Sequence, residues 1–358
     1  MTNEQLGKEA SKDFPGTRYQ GSKRKLLEWL WSCVGHIQFD TVLDLFSGSA
    51  AVSYLFKTKN KRVVSNDYLR SNAAIARALV VNEGTQLGET EATSLFEKKS
   101  GKRYDDFIER TYTGIFFTDS ENRWLDVVAQ NIADVAPGPK RDLAYFALFQ
   151  ACLAKRPYNL FHRANLYMRL SEVERTFGNK ATWDKPFEEH FIANLREANR
   201  AVFDNGRRHV ALCGDAKDAP SGYDLVYVDP PYLNSKGVGV DYMDFYHFLD
   251  GLTEYEAWPR RITQEYKHKP YARRRDGWLH KDTIRDEFEY IIRKHEQSYI
   301  VISYRSNGIP SIDGLLALIE ACGRCCCRSS ERSYRYVLST SRVKEAVLIV
   351  APLSETAE

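Results

Sequence analysis

The chain has 358 residues, 43% of them hydrophobic, enough for one large domain, or a domain carrying an insertion, to bury its own core. The formal net charge of +3 arises from 51 basic against 48 acidic residues, so overall charge does not mark a nucleic-acid binder and any basic surface must come from local clustering. The polar opening MTNEQLGKEASKDFPG has no apolar signal core and no stretch is long and apolar enough to span a bilayer, which reads as a cytosolic chain with no membrane partner.

"TVLDLF" (41 to 46) is a short apolar run, and "SGSAAVSYLFK" after it suits a tight turn opening a helix. "KRVVSND" (61 to 67) reads as a second strand ending in Asp67, and "LRSNAAIARALVVN" has helical periodicity, so residues 41 to 82 form a βαβα unit. The alternation then breaks over about 120 residues of mainly helical or irregular, aromatic-rich and basic sequence. Strand signals return at "HVALCGD" (209 to 215), "YDLVYVD" (223 to 229) and "SYIVISY" (298 to 304), and "RSYRYVLST" with "KEAVLIVA" reads as an antiparallel edge hairpin. The expected fold is α/β: a doubly wound sheet of residues 1–84 and 206–358, interrupted by a mostly helical inserted lobe at 85–205. Seven cysteines, four of them in "CGRCCCR" (322 to 328), make no spaced disulfide framework, and no histidine follows at zinc-finger spacing. That segment reads as a helix end running into a strand of reduced thiols, and no metal is expected.

In an open parallel sheet the ligand crevice lies at the carboxyl ends of the strands, which here means Asp44 to Ala50, Asp67 and Asp229 to Tyr232. Gly48 permits close approach of a cofactor to the backbone, and Asp67 is placed to accept both hydroxyls of a ribose; alternatively the two merely make a turn and cap a helix. "DLFSGSA" lacks the G-x-G-x-x-G phosphate turn and no Walker lysine follows, so the pocket suits a nucleoside without pyrophosphate, a description that S-adenosylmethionine meets.

"DPPY" (229 to 232) ends a buried strand abruptly. Pro230 and Pro231 donate no backbone hydrogen bond and hold the Pro230 carbonyl at a set angle beside the Asp229 carboxylate. Two such acceptors can take both hydrogens of a nucleobase amine and turn its lone pair toward an incoming methyl group. Tyr232 offers a face on which the base can stack, and a base inside a duplex has to be flipped out to reach it.

With "DPPY", "DLFSGSA" and, upstream, "RYQGSKRKLL" (18 to 27), the chain resembles the DNA adenine methylase (D12, α-group) family of N6-adenine DNA methyltransferases. The resemblance covers most of the chain and preserves the motif order. It implies a class I S-adenosylmethionine-dependent methyltransferase sheet with 85–205 as the target-recognition lobe. It also implies a cofactor pocket of Tyr19, Gly21, Lys23, Asp44, Phe46, Gly48 and Asp67, with Lys23 on the methionine carboxylate, and a catalytic set of Asp229, Pro230, Pro231 and Tyr232. Asp215 is a further candidate for the cofactor's adenine edge or for a turn cap. Where the family commonly has F-x-G-x-G, the second glycine here is Ala50, which puts cofactor affinity in question more than chemistry.

Double-stranded DNA is then the expected partner, with a cognate restriction endonuclease and a bacterial or phage source as further expectations. In "AKRPYNLFHRANLYMR" (154 to 169), Arg156, Asn159 and Arg163 are candidate base-edge readers among aromatic wedges; the alternative is a helix packing Tyr158, Phe161 and Leu166 inward with solvated arginines. The run "PRRITQEYKHKPYARRRDGW" (259 to 278) concentrates basic residues, with Arg273, Arg274 and Arg275 as candidate phosphate contacts. The same amine chemistry would also suit cytosine N4 or a base in structured RNA, and a catalytically idle cofactor-dependent DNA-binding module is the rival from outside enzymes.

Overall fold

The computed structural model describes residues 14–172, 180–235, 237–272, 276–334 and 343–356. The expected strands form where the sequence places them: β1 (Thr41–Asp44), β2 (Arg62–Asp67), β3 (Val210–Cys213), β4 (Leu225–Val228) and β5 (Tyr299–Arg305). A hairpin of β6 (Cys326–Tyr334) and β7 (Val343–Val350) completes a seven-stranded sheet of order β3-β2-β1-β4-β5-β7-β6 among the described residues. β1 to β5 are parallel, and β7 runs antiparallel to both β5 and β6. This is the class I methyltransferase fold. β6 opens at Cys326, earlier than the expected start at "RSYRYVLST", whose residues 335–340 lie outside the described residues. The expected joint of helix end and strand in the cysteine run falls between Ala321 and Cys326.

Parallel strands buried on both faces are apolar throughout, and alternate residues serve opposite layers. Val42, Val63, Leu225, Tyr227, Val301, Val347 and Ile349 join one core. Leu43, Val64, Val226, Val228, Ile300, Ile302, Leu348 and Val350 join the other. The first core is covered by α1 (Leu27–Val34), α2 (Ala51–Thr58) and α3 (Arg70–Ala76) together with helices of the 85–205 segment, α4 (Asp119–Ala133), α5 (Pro139–Ala154) and α6 (Phe187–Ala201), and by α7 (Tyr242–Thr253). Buried apolar residues of this segment therefore join the sheet's first core. α8 (Ile284–Lys294) and α9 (Ile312–Ala321) cover the second face with Ile284, Phe288, Ile291, Leu315, Leu318 and Ile319.

From β1 the chain moves outward to β2 and β3, then returns to place β4 on the other side of β1. The carboxyl ends of β1 and β4 thus flank the point where strand order reverses, which opens a crevice there. Register puts Asp44 opposite Tyr227, two residues before Asp229. By the same alternation Asp44, Asp67, Asp229 and Ser303 share the face of Val42, Val63, Tyr227 and Val301. β7 is antiparallel, so it begins at the edge where the parallel strands end, and Glu345, in phase with Val347 and Ile349, joins that row of polar groups.

Candidate active site

The turn after β1 brings the two halves of the crevice together. The Gly48 N–H donates to Asp67 Oδ2 (2.8 Å) and the Leu69 N–H to Asp67 Oδ1 (2.9 Å), so both oxygens of Asp67 are already engaged by backbone. Gly48 has φ +49°, and a Cβ there would stand 3.1 Å from Tyr19 Cε1. A Cβ on Gly21, at φ +83°, would come within 2.6 Å of Tyr242 Oη. Both glycines are required by backbone conformation and by close aromatic packing. Ala50 sits at φ 61°, ψ 16°, the left-handed region. That is the reason a glycine suits this position: the alanine strains the turn itself.

Asp44 is 0% exposed. Its Oδ2 accepts from Ser53 Oγ (2.7 Å), while Oδ1 has no hydrogen-bond partner in good geometry among the described residues. Burial pushes its carboxyl up to about 7, helped by repulsion from Asp229 and Asp67 and opposed by the Ser53 hydroxyl and the Phe46 backbone N–H. Burial likewise raises Asp67 to about 6. Tyr19 stacks on Tyr246 (4.7 Å between centroids, 14°), and its hydroxyl accepts from Asn72 Nδ2 (2.9 Å). Phe46 packs edge-on against Trp278 (5.1 Å).

Lys23, 5% exposed, lies among protein carboxylates: its Nζ is 3.0 Å from Asp229 Oδ1 and 2.6 Å from Glu345 Oε1, and it donates to Tyr232 Oη at 2.6 Å. Its charge is therefore matched within the protein. Tyr232 Oη also donates to Asp229 Oδ1 and lies 3.2 Å from Glu345 Oε1. The Tyr232 ring is 9% exposed and packs edge-on against Tyr304 (5.3 Å); in this conformation the residue acts on Asp229 and offers little open face. Burial raises the Asp229 carboxyl to about 6, with Lys23 pulling it down and Glu345 pushing it up. Glu345, Ser303, Tyr242 and Trp278 are absent from the sequence reading. The one available signal for Glu345 was a lone acid in phase with the buried residues of "KEAVLIVA".

Beside this cleft a cavity of about 770 Å³ opens, sharing Phe46, Tyr68 and Pro231 with it and lined further by Asp215, Lys217, Met243, Arg261 and Trp278. Asp215 is exposed there, and its Oδ1 caps its own turn by accepting from the Lys217 N–H (2.9 Å).

The expected DNA contact at Arg156 requires correction. Arg156 is 1% exposed. Its guanidinium donates to the carbonyls of Leu160 (3.1 Å), Phe116 (3.3 Å) and Arg163 (3.0 Å) and stacks 4.5 Å from the Phe116 ring. The cause is the turn after α5: Tyr158 and Asn159 both take positive φ (62° and 58°), which folds the chain over the guanidinium and exposes Tyr158. Phe161 and Leu166 do pack inward. Arg163 is exposed and Asn159 half-buried. Arg273, Arg274 and Arg275 lie outside the described residues. Among the described residues no group of three or more His, Cys, Asp or Glu side chains could hold a metal, and no helix is long and apolar enough to cross a membrane.

A doubly wound sheet with an acid-lined crevice at its switch point and D-P-P-Y closing β4 defines an amino-methyltransferase. Residues 19–306 match the D12 class N6 adenine-specific DNA methyltransferase family, and the chain belongs to that family. Among similar proteins, type II methyltransferase M2.HphI of Haemophilus parahaemolyticus is 29% identical over 321 residues, covering 87% of this chain and 89% of that protein. Type II methyltransferase M.NlaIII of Neisseria lactamica is 25% identical over 332 residues (86% and 88%). Type II methyltransferase M.CviAII of Paramecium bursaria Chlorella virus 1 is 22% identical over 320 residues (86% and 89%). The protein is an adenine-specific DNA methyltransferase.

Proposed function

We propose that the methyl donor is S-adenosylmethionine and that Asp229 with the Pro230 carbonyl receives the target amine. The observation carrying the cofactor is the fully buried Asp44 carboxylate, which no basic side chain pairs among the described residues, in a cleft that also holds Asp67 and Asp229. An acid-lined pocket favours a ligand bearing an ammonium and a sulfonium over any phosphate-bearing nucleotide. Asp44 would hold the ammonium, Asp67 with Tyr68 the ribose, and Phe46 with Asp215 the adenine where the cleft meets the larger cavity. When bound, the cofactor supplies an electrophilic methyl group.

The chain supplies the acceptors. Asp229 has to be ionised to accept an amine hydrogen, and the ammonium of Lys23 at 3.0 Å favours that form against burial. The Pro230 carbonyl has no neighbouring N–H from Pro231 to compete for it. Holding both hydrogens turns the nitrogen lone pair toward the methyl donor. The amine reaches this depth once its base leaves the duplex stack, and Tyr232 would then flank the extruded base. Arg163 and Asn159, with the basic 259–278 segment, would contact DNA. A restriction endonuclease recognising the same site is the proposed functional partner.

Duplex DNA incubated with the protein and methyl-deuterated S-adenosylmethionine, then digested to nucleosides for mass spectrometry, should yield deuterated N6-methyladenine. Label on cytosine N4, label only on RNA, or none at all would refute the assignment.

A further inference from the structure

Glu345 lies beyond residues 19–306, the span matched by the family, yet it is 0% exposed and faces the catalytic strand end. Its Oε1 gathers three groups: Lys23 Nζ at 2.6 Å, Ser303 Oγ at 2.9 Å and Tyr232 Oη at 3.2 Å. Ser303 stands on β5 and Glu345 on the neighbouring antiparallel β7, so the carboxylate is fixed by the central sheet. Lys23 comes from a 3-10 turn of four residues, Lys23–Leu26, near the start of the chain. Its long, rotatable side chain loses substantial entropy when held in one geometry.

We propose that Glu345 is a positioning residue for methyl transfer, seating the Lys23 ammonium 3.0 Å from Asp229 so that the catalytic carboxylate stays ionised inside a buried cleft. This rests on the reading of Asp229 as the amine's acceptor.

The electrostatics give the inference a sign. The groups that face or act on Asp229 are Lys23, Glu345 on β7, Asp44 on β1, Tyr232 of its own loop, Tyr227 on β4 and Tyr242 on α7. Of these Lys23 is the largest influence after burial and lowers the carboxyl; Glu345, as a like charge, raises it by less. If Glu345 were only a charged neighbour, removing it would ease ionisation of Asp229. If it seats Lys23, removing it releases the stronger influence, and Asp229 becomes harder to ionise.

Glu345→Met keeps an unbranched side chain of similar length and removes the acceptor. In the cofactor-free protein, the midpoint of the Asp229 carboxyl ¹³C titration, its signal assigned by Asp229→Asn, should move up by about one unit. The acid limb of the single-turnover rate should follow it, and turnover at pH 6 should fall about fivefold, since the ionised fraction there drops from about one half to about one eleventh, with cofactor affinity within about threefold of wild type. Glu345→Gln keeps an oxygen acceptor without the charge and should shift both readouts in the same direction by less; it carries the test if the methionine variant does not fold. A midpoint that stays still or moves down in the folded variant overturns the proposal. If the wild type transfers no methyl group while the midpoint still moves up, the seating of Lys23 stands and the catalytic reading of Asp229 falls.

Discussion

Asp44→Asn should make the cofactor-free protein more stable while weakening the cofactor, and the gain should depend on pH in a calculable way. In the folded chain the Asp44 carboxyl is pushed up to about 7 because it is buried, with Asp229 and Asp67 nearby as like charges; in the unfolded chain it titrates near 4. Between those values the native state binds more protons than the unfolded state, so stability falls as pH rises. This is the reverse of an ion-paired aspartate, whose folded value is depressed. Between pH 5 and pH 7 the native carboxyl loses stability relative to a neutral side chain at about 1.4 kcal/mol per unit, or about 3 kcal/mol in all. Above the folded value the difference levels off. Asparagine keeps the shape and an oxygen for Ser53 but carries no charge, so any fixed cost of its amide cancels when two pH values are compared. Urea unfolding of both proteins at pH 5 and pH 8 measures the difference directly. The advantage of Asp44→Asn should grow by about 3 kcal/mol over that interval, and its S-adenosylmethionine dissociation constant should rise about tenfold or more through loss of a charge-assisted partner. An advantage that is the same at both pH values, or that shrinks toward pH 8, would show that the carboxylate is not stored in its unfavourable charged form.

Asp229→Asn should reduce methyl transfer at least about a hundredfold while leaving cofactor binding within about threefold, because the amide accepts one amine hydrogen poorly and offers competing donors; single-turnover assay and calorimetry separate the two. Tyr232→Phe keeps the ring and removes the hydroxyl that links Asp229 to Lys23, so turnover should fall about tenfold, and wild-type turnover would leave the ring as the part that matters. Arg156→Ala should cost about 3 kcal/mol or more of stability, since the buried Leu160 carbonyl loses its donor, the Phe116 and Arg163 carbonyls each lose one, and a cavity opens. Arg163→Ala, at an exposed position, should leave the melting temperature unchanged and lower DNA affinity severalfold with a shallower salt dependence; thermal melting and filter binding compare the pair.

Local sequence determined much of this protein. Apolar runs bounded by turn residues specify β1, β4 and β5, because strands covered on both faces need no polar alternation and their ends carry the groups that face solvent or ligand. Two prolines after "YDLVYVD" stop β4 at Val228, just before Asp229, and the positive φ of Gly48 is a property of the turn itself. Strand ends and turns written into consecutive residues were therefore legible in sequence. Partners distant in the chain were not. Lys23 and Glu345 are 322 positions apart, and their ion pair exists because antiparallel β7 starts at the same sheet edge where the parallel strands stop. Arg156 read as a base-edge reader, or alternatively as a solvated arginine on a packed helix, because its neighbours are basic and aromatic. Only the left-handed turn at Tyr158 and Asn159 folds carbonyls over it, and only the packed core supplies Phe116 beneath it. Side-chain burial is a sum over neighbours that the tertiary fold brings together, so the direction an arginine faces and the charge a buried carboxylate meets were decided there.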